Sequence, residues 1–331
     1  MSWNTRDQKF SEVCRPQRTH RTPKKYAPGI AEGKLDVATD RLVVNVFNVD
    51  AALNVAQGRD LFAAEGIDVE LLVTPNSTDQ IRGLGKGSWQ VVSTAFDNVL
   101  GWSGREGADI VAIAQVSQGH ILPVYVRPEI KSWTDLRGKK LAVDAVDTAY
   151  ALVLRRIILE HGLDFDRGDY ELVPLGTTGA RLESMTRGET FAGILNPPWD
   201  KRAEAEGHKR FADHREVLPN YPGGVFAVSR KWSGENRQLL VTFLRIWNNA
   251  LRWCHHDVNR SDALEIIAAE EKLDETGAAR KLAQLPPSGK LNLPGLQSVL
   301  DLRVQFHLTP PMGKDLTKYY EESFYRDVSN S

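Results

Sequence analysis

Cysteine is nearly absent: Cys14 and Cys254 are the only two in 331 residues, too few and too far apart for a disulfide framework. Long apolar runs are missing as well. No stretch approaches the roughly 18–20 uninterrupted apolar residues that a membrane span requires, so no spanning segment is expected. Neither sign of charge prevails, because 42 lysines and arginines face 43 acidic residues and leave a net charge of -1. Such a chain has no global field for holding nucleic acid or an anionic membrane, which excludes a polyanion partner. The sequence also lacks GxSxG, HExxH and paired CxxC motifs, and the glycines from Gly83 to Gly87 have neither the spacing nor the hydroxyl residue of a phosphate loop. Cys254-His255-His256 is no metal centre, since adjacent helical residues point in different directions and no second ligand cluster has zinc spacing. No metal and no cofactor are expected.

Residues 1–40 carry a basic run (Arg15, Arg18, Arg21, Lys24 and Lys25) without the apolar block or small-residue cleavage pattern of a secretory signal. They read as a polar, flexible leader. As the sequence stands, the protein is expected in the cytoplasm, and in the periplasm if its natural start carries an export signal.

From Leu42 onward the pattern becomes regular. LVVNVFNV reads as a buried strand, Asp50 to Ala64 as a helix ended by Gly66, and IDVELLV as a second strand, which together make a βαβ unit. The same order recurs with a helix at Ser77 to Gly85, the strand VVSTA, a helix at Asp97 to Arg105 and the strand DIVAIAQV. Repetition of this kind implies a mainly parallel sheet covered on both faces. After HILPVYVR and Pro128 the chain restarts with KLAVDAV and a helix from Thr148 to His161, then YELVPLG, a helix at Ala180 to Thr186, FAGILN and a helix near Trp199. YPGGVFAVSRKW supplies a strand that carries the chain back. Leu240, Phe243, Leu244, Trp247 and Leu251 then mark one face of a helix, and further helices are expected at Asp262 to Glu271 and Leu296 to Phe306. The predicted class is an α/β, two-lobed fold. Its first lobe would comprise 41–127 plus 221–331, and its second 128–220.

Three segments carry a resemblance: GRDLFAAEGIDVEL from Gly58, WTDLRGKKLAV from Trp133 followed by ALVLRRIILEHGLD, and MTRGETFAGIL from Met185. In their order and spacing they resemble the substrate-binding-protein superfamily, which includes the nitrate, sulfonate and taurine binders of ABC transporters and the NMT1/THI5-like proteins. The resemblance implies a periplasmic-binding-protein-like (type II) clamp, a small-molecule ligand, an ABC permease as partner and hinge closure as the mechanism. It also implies a rival, a cytoplasmic enzyme on the same scaffold, because relatives include desulfinases, aromatic decarboxylases and a pyrimidine synthase.

In open α/β sheets, ligands bind beyond the carboxyl ends of the strands, where helix N-termini present free N–H groups. That rule selects Asn48 and Asp50, then Thr94, Phe96, Asp97 and Asn98, then Gln115, Gln118 and His120 near the crossover. In the second lobe it selects Asp144, Asp147, Thr148 and Tyr150, then Asn196, Pro198, Trp199 and Asp200, with Tyr221 at the return crossing. Asp50, Asp97 and Asp147 can equally be plain N-caps. Carboxylates and amides beside four aromatics, with little arginine at the strand ends, point to a neutral, cationic or aromatic ligand and away from an anion. His120 is the one candidate acid–base residue.

Overall fold

Val111 and Ile113 face one side of their strand, Ile110 and Ala112 face the other, and all four are fully buried. The sheet they belong to is therefore covered on both faces, as mainly parallel strands require. The computed structural model describes residues 40–74, 76–119 and 121–329. The basic leader up to residue 39, with Cys14, and the candidate His120 lie outside the described residues.

Four strands open the chain: β1 (Asp40–Val46), β2 (Ile67–Val73), β3 (Val91–Ala95) and β4 (Ile110–Gln115). Five more follow: β5 (Pro123–Val126), β6 (Lys140–Val143), β7 (Glu171–Pro174), β8 (Ala192–Ile194) and β9 (Lys209–Asp213). β10 (Gly224–Ser229) then returns to the first group. The first sheet has the order β2-β1-β3-β10-β4 and the second β7-β6-β8-β5-β9. Each is a mainly parallel sheet with one strand from the crossing inserted antiparallel: β10 between β3 and β4, and β5 between β8 and β9. Helices cover both sheets, so the chain has the two-lobed α/β architecture expected. The first crossing comes earlier than 127, because β5 pairs with β8 and β9 and so belongs to the second sheet.

The crossings are pinned side by side. Ser117 Oγ accepts from the Gly224 N–H at 2.8 Å, and the Gly224 carbonyl accepts from the Val116 N–H and from Gln115 Nε2. A Cβ on Gly223 would lie 2.2 Å from the Gly119 nitrogen and the Ser117 carbonyl oxygen, and Gly119 itself holds a φ of +89°. Gly223 has no room for a side chain, and at Gly119 the positive φ disfavours one. Gly223→Ala must push two backbone segments apart at the crossings and is expected to cost on the order of 1–3 kcal/mol, read as a lower urea midpoint. Wild-type stability in that variant would mean the crossings are not packed this tightly.

A helix near the C-terminus, Leu293–Gln305, bridges the lobes. Leu296, Val299 and Leu300 join the core on one face of the first sheet, while Leu302 and the following Phe306 join the core of the second. Phe306 lies under the Arg155 guanidinium, 4.1 Å from it, and Arg155 also binds Asp166 at 2.9 Å. Among the described residues, no helix is long and apolar enough to cross a membrane.

Candidate functional site

The carboxyl ends of β3 and β6 bring the two lobes' polar groups together. Asp97 sits in the first turn of the helix Phe96–Trp102, directly after β3. Its Oδ1 accepts from Arg303 Nη1 at 2.8 Å, with both side chains more than nine-tenths buried. Burial pushes the Asp97 carboxyl up, Arg303 opposes that, and the negative charges of Asp147 and Asp144 from the second lobe push it up further. Beside it, Thr94 Oγ1 accepts from Asn98 Nδ2 at 2.9 Å.

On the facing side, Asp144 follows β6, and its Oδ1 accepts from the Thr148 hydroxyl at 2.6 Å. Thr148 in turn caps the helix Ala149–Glu160, accepting from the Ala151 N–H. Tyr150 lies in that helix's first turn. Burial raises its phenol, an effect the nearby Asn196 amide opposes, and the Asn196 Oδ1 is buried without a partner. Tyr221 stands at the return crossing and packs against the cores of both lobes. Burial raises its phenol well above the ordinary value, and Asp97, Tyr150 and Asp144 all add to that. Asp97, Asp144, Asp147, Thr148, Tyr150, Asn196 and Tyr221 thus form one neighbourhood with groups from both lobes and the crossing.

Other candidates go elsewhere. Asp50 is the N-cap of the helix Ala51–Gly58, accepting from the Ala52 and Leu53 N–H groups, and it also accepts from Trp247 Nε1 at 3.1 Å. Asn48 is exposed. Phe96, expected to stack on a ligand, is buried in the first lobe's core instead, because neighbouring helical residues point in different directions. Gln118 spends its side chain and its N–H on the carbonyls of Leu285 and Gln284. Gln115 likewise bonds within the crossing. Trp199 packs on the second lobe's small core with Arg202 over its ring, and its indole fills the space a Cβ on Gly179 would need. Pro198 is exposed, and Asp200 binds the Lys201 N–H.

Two arginines at the site were missed. Arg303 comes from the bridging helix, beyond every strand, and Arg181 from the helix Thr178–Thr186 that follows β7. Arg181 is 3% exposed and attracted by Asp144 and Tyr150. The expectation against an anion rested on uncompensated carboxylates and scarce arginine; Arg303 is paired with Asp97, and Arg181 adds a cation near Asp144. Arg181 could have been found, since it lies within two turns of a strand end.

The sequence pattern of the NMT1/THI5-like proteins matches residues 49–260, well over half of the chain. The chain belongs to the NMT1/THI5-like family. No curated protein matches its sequence. Among solved structures it is similar to the periplasmic aliphatic sulphonate-binding protein SsuA of Escherichia coli, at 17% identity and a TM-score of 0.67, covering 87% of this chain and 100% of that one. The periplasmic nitrate-binding protein NrtA of Synechocystis gives 13% identity and a TM-score of 0.70, covering 88% and 89%. The desulfurization enzyme DSZB gives 18% identity and a TM-score of 0.63, covering 88% and 99%. At such identities the likeness shows the fold, and both binders and an enzyme share it.

Proposed function

We propose that the chain is a solute-binding protein that captures one small, aromatic molecule between its lobes by hinge closure and delivers it to an ABC-type importer. One observation carries this reading: the charges of Asp144 and Asp147 in the second lobe reach Asp97 in the first, and Tyr221 of the crossing is under the influence of Asp97 and Asp144 alike. Polar groups contributed by both lobes suit a ligand that both lobes must grip. In this reading the lobes rotate about the paired crossings at Ser117–Gly119 and Gly223–Gly224, and closure excludes water from the captured molecule. Its similarity to periplasmic binders supports a site of action outside the cytoplasmic membrane.

Cys254 bears on the enzymatic alternative. It is buried in the first lobe's core with its thiol pushed up to about 12 by burial, which leaves almost no thiolate for a nucleophilic role at neutral pH.

Thermal-shift screening with nucleobases, aromatic acids, amines and sulfonates tests the reading. A ligand at 100 times its Kd adds about 2.7 kcal/mol of stability, expected as a rise in Tm of roughly 5 °C. A true ligand should also shrink the radius of gyration in solution scattering. Chemical turnover of the ligand, or stabilisation without compaction, would count against capture by closure.

A further inference from the structure

The outgoing crossing runs from the end of β4 at Gln115 to Pro123 of β5, and the return from the end of β9 at Asp213 to Gly224 of β10. At the first-lobe end the Gly224 N–H pins the two by donating to Ser117 Oγ. At the second-lobe end a histidine does so: the Leu122 N–H of the outgoing crossing donates to Nδ1 of His214 in the return, at 3.1 Å. Pro123 pairs with Asp213 in the β5–β9 ladder, so a ring nitrogen takes the N–H just beyond the last rung. A backbone N–H can only donate. Nδ1 therefore carries no proton, and the neutral ring has its hydrogen on Nε2.

His214 also sets the path of the return crossing toward the candidate site. Its carbonyl accepts from the Leu218 N–H at 2.7 Å, and the Leu218 carbonyl accepts from the Tyr221 N–H at 3.0 Å. Its ring meets the Tyr221 ring edge-on, with centroids 5.8 Å apart. A proton on Nδ1 would set two donors against each other and leave a charge on a side chain that is only 7% exposed, so the Leu122 bond could not persist. Burial pushes the imidazole below the ordinary 6.5, while Asp213 raises it and Arg215 lowers it. Asp213 is the carboxylate that reaches the ring, and Arg210 and Arg215 already share it. The helix Ala149–Glu160 packs against this turn and carries Tyr150, Arg155, Arg156 and Glu160; Arg155 is bound to Asp166, and Arg156 to Glu160. On β5, the Tyr125 hydroxyl is bound to Glu204. The Tyr221 phenol is raised by burial, and Asp97, Tyr150, Asp144 and Arg303 act on it.

Resting on the capture reading above, we infer that His214 is a proton-sensitive positioning residue: neutral, it joins the outgoing crossing to Tyr221 of the candidate site, and protonated it releases Leu122 and unpins the crossings at the second-lobe end. The other pin, made of a hydroxyl and a backbone amide, has nothing to titrate in this range. Acid therefore loosens one end of the paired crossings and not the other. A ligand gripped in the geometry that needs neutral His214 opposes that proton, and the proton opposes the ligand to the same extent.

Nuclear magnetic resonance of the full chain without ligand, titrated from pH 8 to pH 5, tests this. The His214 ring is expected as the Nε2–H tautomer at pH 8, with a midpoint below 6.5. The Leu122 amide and Tyr221 ring signals should move with that same midpoint. Exchange of the Leu122 amide hydrogen, corrected for its intrinsic pH dependence, should be about 10-fold less protected at pH 5 than at pH 8, the scale of one buried hydrogen bond left unmade. His214→Asn puts a carbonyl oxygen where Nδ1 stood and cannot take up the proton, so Leu122 should keep its protection across the range. His214→Phe keeps a ring against Tyr221 without an acceptor and should leave Leu122 poorly protected at both pH values. An Nδ1–H tautomer at pH 8, equal protection of Leu122 at both pH values in the wild type, the wild-type pH dependence persisting in His214→Asn, or full protection at pH 8 in His214→Phe would each overturn the inference. No ligand enters these measurements, so they decide the role of His214 separately from the scattering that tests capture by closure.

Discussion

Arg303→Ala is expected to lower the free energy of unfolding by about 3–5 kcal/mol, the usual cost of breaking a buried ion pair from one side. The partner left behind is Asp97, whose Oδ1 lies 2.8 Å from Arg303 Nη1 and whose side chain is only 8% exposed. Burial and the charges of Asp147 and Asp144 already push that carboxyl up. Without Arg303 nothing opposes them, so Asp97 must either stay charged in a low dielectric or take up a proton. The sign with pH follows. A carboxyl raised in the folded state makes the fold lose stability as pH rises from its unfolded value through its raised folded one, so the Arg303→Ala deficit should be larger at pH 8 than at pH 5. Urea midpoints at the two pH values measure it. Asp97→Asn combined with Arg303→Met removes both charges and should recover most of the loss, because the charge stranded by the single change is no longer there. A single-variant loss under about 1 kcal/mol would mean that water reaches the pair. The helix also matters beyond its charge, since it is tied to the first lobe by Arg303 and to the second by Phe306 over Arg155.

Much of the fold was legible because apolar patterning dictates it. IDVELLV, VVSTA and Ser77–Gly85 are elements with the bounds the sequence predicts. Local backbone conformations were less visible: the helix expected over Asp50 to Ala64 is interrupted at Asp60, which takes a left-handed φ of 56°, giving Ala51–Gly58 and Leu61–Ala64. β9 was missed because three of the five residues in KRFAD are charged, which is permissible in a strand at the edge of a sheet. At the candidate site, the strand-end rule selects Asp97, Asp144, Tyr150 and Tyr221, each in or next to a segment adjoining a strand. It could not find Arg303, which is 206 residues from Asp97 along the chain and reaches it only by tertiary packing. It also could not separate Phe96 from Asp97, since the helical turn sends one into the core and the other toward the second lobe.

Asp50 separates a capping carboxylate from a ligand-binding one by its response to pH. Its Oδ1 accepts from two backbone N–H groups and from Trp247 Nε1, while its Oδ2 is buried without a partner. Burial pushes the carboxyl from the ordinary 3.8 up to about 6, against the pull of those hydrogen bonds and of Lys281. The native state therefore binds this proton more tightly than the unfolded chain does. Its contribution is most favourable below about pH 4 and is lost as pH rises through 6, a swing on the order of 3 kcal/mol for a shift of about two units. Asp50→Asn keeps an N-cap of equal quality and an oxygen for Trp247, but has no charge to bury. It should flatten this part of the profile, matching the wild type near pH 4 and exceeding it at pH 8, with a gain reduced by the amide group now buried where Oδ2 was. Asp50→Ala should instead lose roughly 1 kcal/mol at pH 4, where charge plays no part and only the cap is missing. Urea unfolding of the three proteins across pH 4–8 distinguishes these cases, and parallel profiles for wild type and Asp50→Asn would show that the carboxyl is not raised. Because these bonds hold Asp50 to its own helix and to Trp247, Asp50→Asn should leave ligand affinity unchanged. A large loss of affinity would return Asp50 to the cleft.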